Sequence, residues 1–322
     1  MENITILGAG VAGLALIEKI RARNITCNIT LINKDSYSFP RRAIISSPAD
    51  ISQRIDLNQW AEARKVDFFL AQVERINPRR RRLFFKDGQP RDFDNLIIAS
   101  GLVSKKLPIK GEHRDGFFYL SGIDSLKLNG LLKISKEVCV YVSTWLGLRL
   151  AIALADLDKE VRIVSANLSF LEEDKQKVIN ALEEKKIVLY LDAFIEEAVG
   201  EGVVKAAKLS PLMVFSSQLV FIDSGFISNL KFFEEEVSTQ DVFFTNFEGI
   251  YLLGDVNRKD AANEIFFSTN HQAAKKQADL FIDFMATGQR PVFSKDNLEQ
   301  KDLNLNQEDI SKEVKLWQSG LA

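Results

Sequence analysis

Six residues near the start of the chain, Gly8-Ala9-Gly10-Val11-Ala12-Gly13, constrain its folding more than any other feature. They follow a short apolar run, Asn3 to Leu7, that reads as a buried strand, and they precede a helical pattern through Leu14, Ile17 and Ile20. Cys27 to Ile32 then reads as a second strand. A strand, a glycine-rich turn, a helix and a strand within about 30 residues form a βαβ unit, and such units build parallel sheets. In that setting the first glycine permits the tight turn, the second lets backbone approach a pyrophosphate, and the third lets helix and strand pack closely. The helix start adds free N–H groups and partial positive charge. The spacing therefore predicts a dinucleotide cradle at Gly8, Gly10, Val11, Ala12 and Gly13. The acid that usually ends the second strand, where it bonds a ribose hydroxyl, is replaced by Asn33, followed by Lys34 and Asp35. An amide bonds a diol without supplying charge.

The pattern recurs. Leu96 to Ala99 reads as a further strand closed by Ser100-Gly101, and a second βαβ unit begins at Val138. It consists of a strand (VCVYV), a helical stretch from Leu146 to Asp156 and a strand from Val161 to Val164, so the chain contains an internal repeat. Its fingerprint, however, reads Val142-Ser143-Thr144-Trp145-Leu146-Gly147, and only the third, helix-packing glycine survives. Val142 takes the tight-turn position, and Thr144 sets a branched side chain where backbone should approach phosphate; such residues disfavour positive φ. The next strand ends in Val164-Ser165-Ala166-Asn167 without an acid, and Arg162 lies within the strand, a poor place to meet a 2′-phosphate. The second unit is therefore expected to be a Rossmann-like domain with a degenerate dinucleotide site, kept for packing. Leu219 to Ile222 ends in Asp223-Ser224-Gly225 much as LIIA ends in Ser-Gly, and Ile250 to Leu253 ends in Gly254-Asp255 before a helix from Ser268 to Thr287. From Ser294 the chain turns polar, with one amphipathic helix expected through Ile310, Val314 and Trp317.

Composition removes several alternatives. Of 322 residues, 46% are hydrophobic, ample for sizeable cores, and 42 basic against 44 acidic residues argue against a nucleic-acid-binding surface. Cys27 and Cys139 sit in apolar stretches outside any CxxC, which argues against a redox dithiol, and both are expected as buried strand residues. His113 and His271 are too few for a histidine-rich metal centre, and His113 is expected at the surface. No apolar run approaches the ~20 residues of a membrane span. The first residues lack a signal peptide's charged and apolar regions, so a cytoplasmic location is expected. Arg79 to Arg82 reads as a hairpin turn, either simply solvated or a docking patch for an acidic electron carrier. Most of the 23 phenylalanines are expected in the core, Phe266 and Phe267 standing apart because they precede the last helix.

Four stretches in order, ILGAGVAG, LIIASG, the second βαβ unit and IYLLGD with its helix, resemble the pyridine nucleotide-disulfide oxidoreductase superfamily from residue 1 to about 293. DSYSFPRRAIISS looks most like the corresponding segment of NADH:rubredoxin reductases and of the flavin module of nitrite reductases. The resemblance implies an α/β fold of two Rossmann-like, doubly wound dinucleotide-binding domains. The FAD domain would be discontinuous (1–103 and 224–293), the NAD(P)-binding-like domain would span 104–223, and 294–322 would form a tail where longer relatives carry an interface domain.

By the same resemblance Gly8, Gly10 and Gly13 hold the FAD pyrophosphate, Asn33 and Lys34 face the adenosine ribose, and Arg41 and Arg42 lie near the phosphates and flavin. Ser100 and Gly101 form the crossover, Gly254 and Asp255 meet the ribitol, and Asn270, His271 and Gln272 open a helix beside the flavin. That helix start would stabilise negative charge on reduced flavin. The implied function is electron transfer between a donor, NAD(P)H in the family, and a small rubredoxin- or ferredoxin-like protein. Three departures, the degraded second fingerprint among them, keep a second reading open, a non-catalytic FAD-binding subunit or scaffold for a partner subunit. SFPRRAIISS lacks the redox cysteine, and Ser47 stands where several relatives place a lysine close to the flavin.

Overall fold

The computed structural model describes residues 2–39, 41–52, 54–238, 243–257 and 271–291. The first sheet begins with β1 (Asn3–Leu7), joined through α1 (Val11–Ala22) to β2 (Asn28–Asn33), followed by β3 (Asp67–Leu70) and β4 (Asn95–Ile98). The chain then forms a second sheet from β5 (Phe117–Tyr119), β6 (Glu137–Tyr141), β7 (Glu160–Ser165), β8 (Val188–Leu191) and β9 (Leu219–Ile222), with α2 (Trp145–Ala155) between β6 and β7. Finally β10 (Ile250–Leu252) returns to the first sheet, and α3 (His271–Thr287) covers it.

Both sheets have five strands, parallel throughout, β10-β4-β1-β2-β3 and β5-β9-β6-β7-β8; the orders match over four strands, and the outermost strand comes last in the chain in the first sheet and first in the second. The repeat extends further than the βαβ units. Each half inserts a three-stranded antiparallel meander before its fourth sequential strand of the repeat, Val73–Asn77, Arg82–Phe85 and Arg91–Asp92 in the first, Phe194–Val199, Ala206–Ser210 and Met213–Ser216 in the second. The central strands read as unbroken apolar runs because both their faces are covered, and all of β9 is buried. The doubly wound α/β architecture expected from the sequence is the one observed.

Leu102–Ser104 and Phe226–Ser228 pair antiparallel, so the chain leaves the first sheet and comes back along adjacent tracks. A short helix, Arg41–Ser46, reaches across from the first half: Ile44 and Ile45 share a buried cluster with Trp145, Leu146 and Leu148. On the other side α3 seats Phe281 among Phe243, Tyr251 and Phe284, with ring centroids 5.0, 5.1 and 6.0 Å away. Edge-on aromatic contacts of this kind add to the area they bury.

Cys139 is fully buried in β6, as expected, whereas Cys27, the first residue of the expected strand, lies one residue before the observed β2 and is only half-buried. Burial pushes both thiols above their ordinary value, which makes them poor nucleophiles. His113 is exposed in a turn, as expected. Among the described residues, no helix is long and apolar enough to cross a membrane and no cluster of His, Cys, Asp or Glu could hold a metal ion. The tail from 294, with Ile310, Val314 and Trp317, and the pair Phe266-Phe267 lie outside the described residues.

Phe281 is 0% exposed. Phe281→Ala leaves a large void beneath α3 and is expected to remove about 3–5 kcal/mol of stability, read as a lower urea midpoint.

Candidate functional site

The first glycine loop is held by contacts that only glycine allows. Gly8 has φ +111°, and a Cβ there would lie 2.5 Å from the Ala99 carbonyl oxygen. A Cβ on Gly13 would lie 2.2 Å from the Gly8 carbonyl oxygen, so this residue sets how closely α1 approaches β1. Gly10 is different: the nearest atom to a Cβ would be the Ala99 oxygen at 3.9 Å, which leaves the backbone open to a ligand. Among the described residues no side chain caps α1, and its first turn carries no acid. No acid within that turn offsets its positive dipole end.

Side chains clamp this loop from below. The Ala9 N–H donates to Asn33 Oδ1 (3.2 Å), Asn33 Nδ2 donates to the Asp35 carbonyl (2.9 Å), and Ser38 Oγ donates to the Ala9 carbonyl (2.5 Å). Asn33 thus positions the cradle through its own amide. Sequence reasoning missed Ser38, because its link to Ala9 depends on how the chain folds back after β2.

Of the other expected residues, Ser100, Gly101, Gly254 and Asp255 follow strands that end at the same sheet edge. Ser100 Oγ donates to the Asn229 carbonyl (3.0 Å) and Asn229 N–H donates to the Gly101 carbonyl (3.1 Å), which ties the crossover to the returning chain. Gly254, at φ +79°, has room for no Cβ because Ala12 Cβ would be 2.7 Å away, and its N–H donates to Gln277 Oε1 (2.7 Å). Gly254-Asp255 is thereby set against the first turn of α1. Gln277 went unnoticed in the sequence, although helical spacing puts it on the same face as residues 274 and 281. His271 and Gln272 open α3, and Arg41 and Arg42 open the short helix; Asn270 lies outside the described residues. The cradle, crossover and Gly254-Asp255 all sit at the carboxyl ends of β10, β4 and β1, the edge where open α/β sheets bind ligands.

The equivalent edge of the second sheet is built otherwise. Thr144 has φ −142° and caps α2, its Oγ1 accepting from the Leu146 N–H (3.2 Å), and Val142 does not take a positive φ. The strain expected of branched residues in a glycine turn is therefore avoided by a different turn. Asp223, 0% exposed at the end of β9, fills the space so created. Its Oδ2 accepts from Thr144 N–H (2.7 Å), Thr144 Oγ1 (2.9 Å), Gly147 N–H (3.2 Å) and Ser143 N–H (3.3 Å). Its Oδ1 is buried with no hydrogen-bond partner among the described residues.

A Cβ on Gly147 would lie 2.6 Å from Asp223 Oδ2, and its three nearest neighbours would all be Asp223 atoms. The surviving glycine thus makes room for this carboxylate, rather than for the close helix–strand approach expected of it. Burial pushes the Asp223 carboxyl above its ordinary value, while the hydrogen bonds from Thr144, Ser143 and Gly147 hold it back. Arg162 is committed elsewhere, to Glu137 (3.2 Å) and the Ser216 carbonyl (3.0 Å). The basic turn is also largely paired: Arg79 forks onto Glu235 and Arg82 onto Asp92.

Two stability measurements check this geometry. Gly13→Ala should lower stability by about 1–3 kcal/mol because backbone must move, whereas Gly10→Ala should lose less. A carboxyl raised in the native state holds more protons there than in the unfolded chain, so its stabilising contribution is lost as pH rises. Relative to Asp223→Asn, the wild-type urea midpoint should therefore fall as pH rises from about 4 towards neutrality.

The family model for pyridine nucleotide-disulphide oxidoreductases matches residues 2–278. Human apoptosis-inducing factor 3 is 23% identical over 274 residues, 79% of this chain and 45% of that protein. NADH-rubredoxin oxidoreductase of Clostridium acetobutylicum is 30% identical over 162 residues, 48% of this chain and 41% of that protein. The matches span about half the length of these curated relatives, or less. Among solved structures, a ferredoxin reductase from Rhodopseudomonas palustris superposes with a TM-score of 0.73 at 19% identity, covering 91% of this chain and 78% of its own. A NAD-dependent persulfide reductase from A. fulgidus superposes with a TM-score of 0.76 at 20% identity, covering 90% and 60%. The chain belongs to the pyridine nucleotide-disulphide oxidoreductase family of flavoproteins, FAD-dependent oxidoreductases of NAD(P)H, and FAD is the cofactor that goes with its fold.

Proposed function

We propose that this chain is the FAD-carrying part of an oxidoreductase that exchanges electrons with a small redox protein of the rubredoxin or ferredoxin type. The observation that carries this reading is the uncapped start of α1, open at Gly10 and flanked by Gly254-Asp255. FAD would lie along that edge, its pyrophosphate on Gly8 to Gly13 and its adenosine ribose towards Asn33 and Lys34. Arg41 and Arg42 would stand near phosphates and flavin, with Ser100, Gly101 and Asp255 along the ribitol and Asn270, His271 and Gln272 at the ring. Residues 1–103 with 224–293 form the FAD unit in this reading, and 104–223 the second unit. When bound, FAD supplies the redox chemistry, accepting a hydride or giving up electrons singly. The protein's part is to hold the ring, exclude water from it and set its charge environment.

The names of several relatives support a protein partner: ferredoxin–NAD(+) reductase components of Photorhabdus laumondii and Paraburkholderia xenovorans dioxygenase systems, and a covalent putidaredoxin reductase–putidaredoxin complex. Pairing of Arg79 and Arg82 within the chain weakens the basic turn as the docking patch. A second reading, an FAD-binding subunit without turnover of its own, is favoured by the carboxylate seated at the second helix start.

Purified protein should carry FAD in equimolar amount, and Gly10→Ala should cut flavin affinity at least about tenfold, since a methyl group would stand in the pyrophosphate's path. Protein that stays colourless with added FAD would overturn both readings. After anaerobic photoreduction, rapid reoxidation by added ferredoxin or rubredoxin supports electron transfer, and flavin that stays reduced with either supports the subunit reading.

A further inference from the structure

The two halves of the chain can be compared atom for atom at one point. In the first, the Ala99 N–H donates to the Leu7 carbonyl (2.8 Å), immediately before Gly8. In the second, the Asp223 N–H donates to the Tyr141 carbonyl (2.9 Å), immediately before Val142. The strand registers agree, Ile98 opposite Leu7 and Ile222 opposite Tyr141. Asp223 is therefore the internal counterpart of Ala99. A methyl group at this place stops short of the helix start; a carboxymethyl group reaches it.

We propose that Asp223 is a built-in occupant of the second dinucleotide site: its carboxylate holds the position of a nucleotide phosphate at the start of α2 and keeps nicotinamide dinucleotides out. This inference concerns the second half alone and stands whether or not the flavin reading holds.

Three observations carry it. First, Oδ2 takes the N–H groups of Ser143, Thr144 and Gly147, donors of the kind that a helix start offers to a phosphate oxygen. Second, the space is used up. Asp223 is 0% exposed, Gly147 has no room for a Cβ beside it, and Thr144 turns its hydroxyl onto the same oxygen. A phosphate would have to displace the carboxylate, and two anions a few ångströms apart away from water repel strongly. Third, Oδ1 is buried without a partner among the described residues. A buried acceptor in that condition is destabilising, so apolar packing does not account for the acid, whereas its bonds to the helix start do. The family's ordinary second cofactor does not fit the residues present.

The test is calorimetric titration of the full chain, FAD-loaded, with NADH, NADPH, ADP and inorganic phosphate. Wild type should show no binding of these nucleotides at millimolar concentration. Asp223→Ala should gain binding of ADP and NADH at least about tenfold above wild type, because the N–H groups are released and the charge is gone. Asp223→Asn, which fills the same space without charge, should stay closed. Flavin content and far-UV circular dichroism report separately whether each variant keeps its fold and its first site. If Asp223→Ala does not fold, Asp223→Ser takes its place with the same expectation. Wild-type binding of NADH that ADP displaces overturns the proposal outright. So does a folded Asp223→Ala or Asp223→Ser variant whose nucleotide binding is no better than wild type.

Discussion

The architecture depends on one close approach, the first turn of a helix pressed onto the end of the strand before it. At Gly13 a single carbon would collide with the Gly8 carbonyl, and at Gly8 another would collide with Ala99. These contacts leave three chain segments almost touching at the sheet edge. Gly254 then packs on Ala12 from the far side, and Gln277 of the last helix reaches the Gly254 N–H. The consequence is a helix start at the sheet edge with neither a side-chain cap at Gly10 nor an acid in its first turn, a setting suited to taking up a phosphate.

The same helix-on-strand device occurs twice and has been resolved in opposite ways. One copy keeps its start bare and its turn in glycine conformation. The other spends its donors internally: Thr144 caps, Asp223 accepts, and Gly147 is small for the sake of that acid. An uncapped helix start buried inside a protein would be destabilising, so a copy that gives up an external anion needs an internal one. On this view the carboxylate both satisfies the orphan N–H groups and supplies charge of the sign that the helix dipole prefers.

The parts of this picture that were legible in the sequence are those encoded locally. Glycine spacing next to an apolar strand announced the first cradle, and unbroken apolar runs announced β4, β6, β9 and β10 within a residue or two. The hairpin turning at Arg79 to Arg82 was legible in the first meander, whereas the second meander escaped because strands such as Met213–Ser216 are largely exposed and carry little periodicity. Ser38 and Gln277 escaped because their partners are set by the return path of the chain. Asp223 was read only as part of a strand ending like that of LIIA, because its meaning rests on register with Tyr141, some 80 positions upstream, that no local pattern records. The strain anticipated at Val142 and Thr144 was absent because the turn changed along with its side chains.

The paired tracks 102–104 and 226–228 have a bearing on how the molecule is made. As the chain emerges from the ribosome, β4 is synthesised long before its neighbour β10, and until then it is an open sheet edge able to recruit foreign strands. The second sheet, by contrast, is drawn from one uninterrupted stretch, 117–222, and can close as soon as that stretch is out. The half that is started first is thus completed last, after every strand of the later-born sheet has been made.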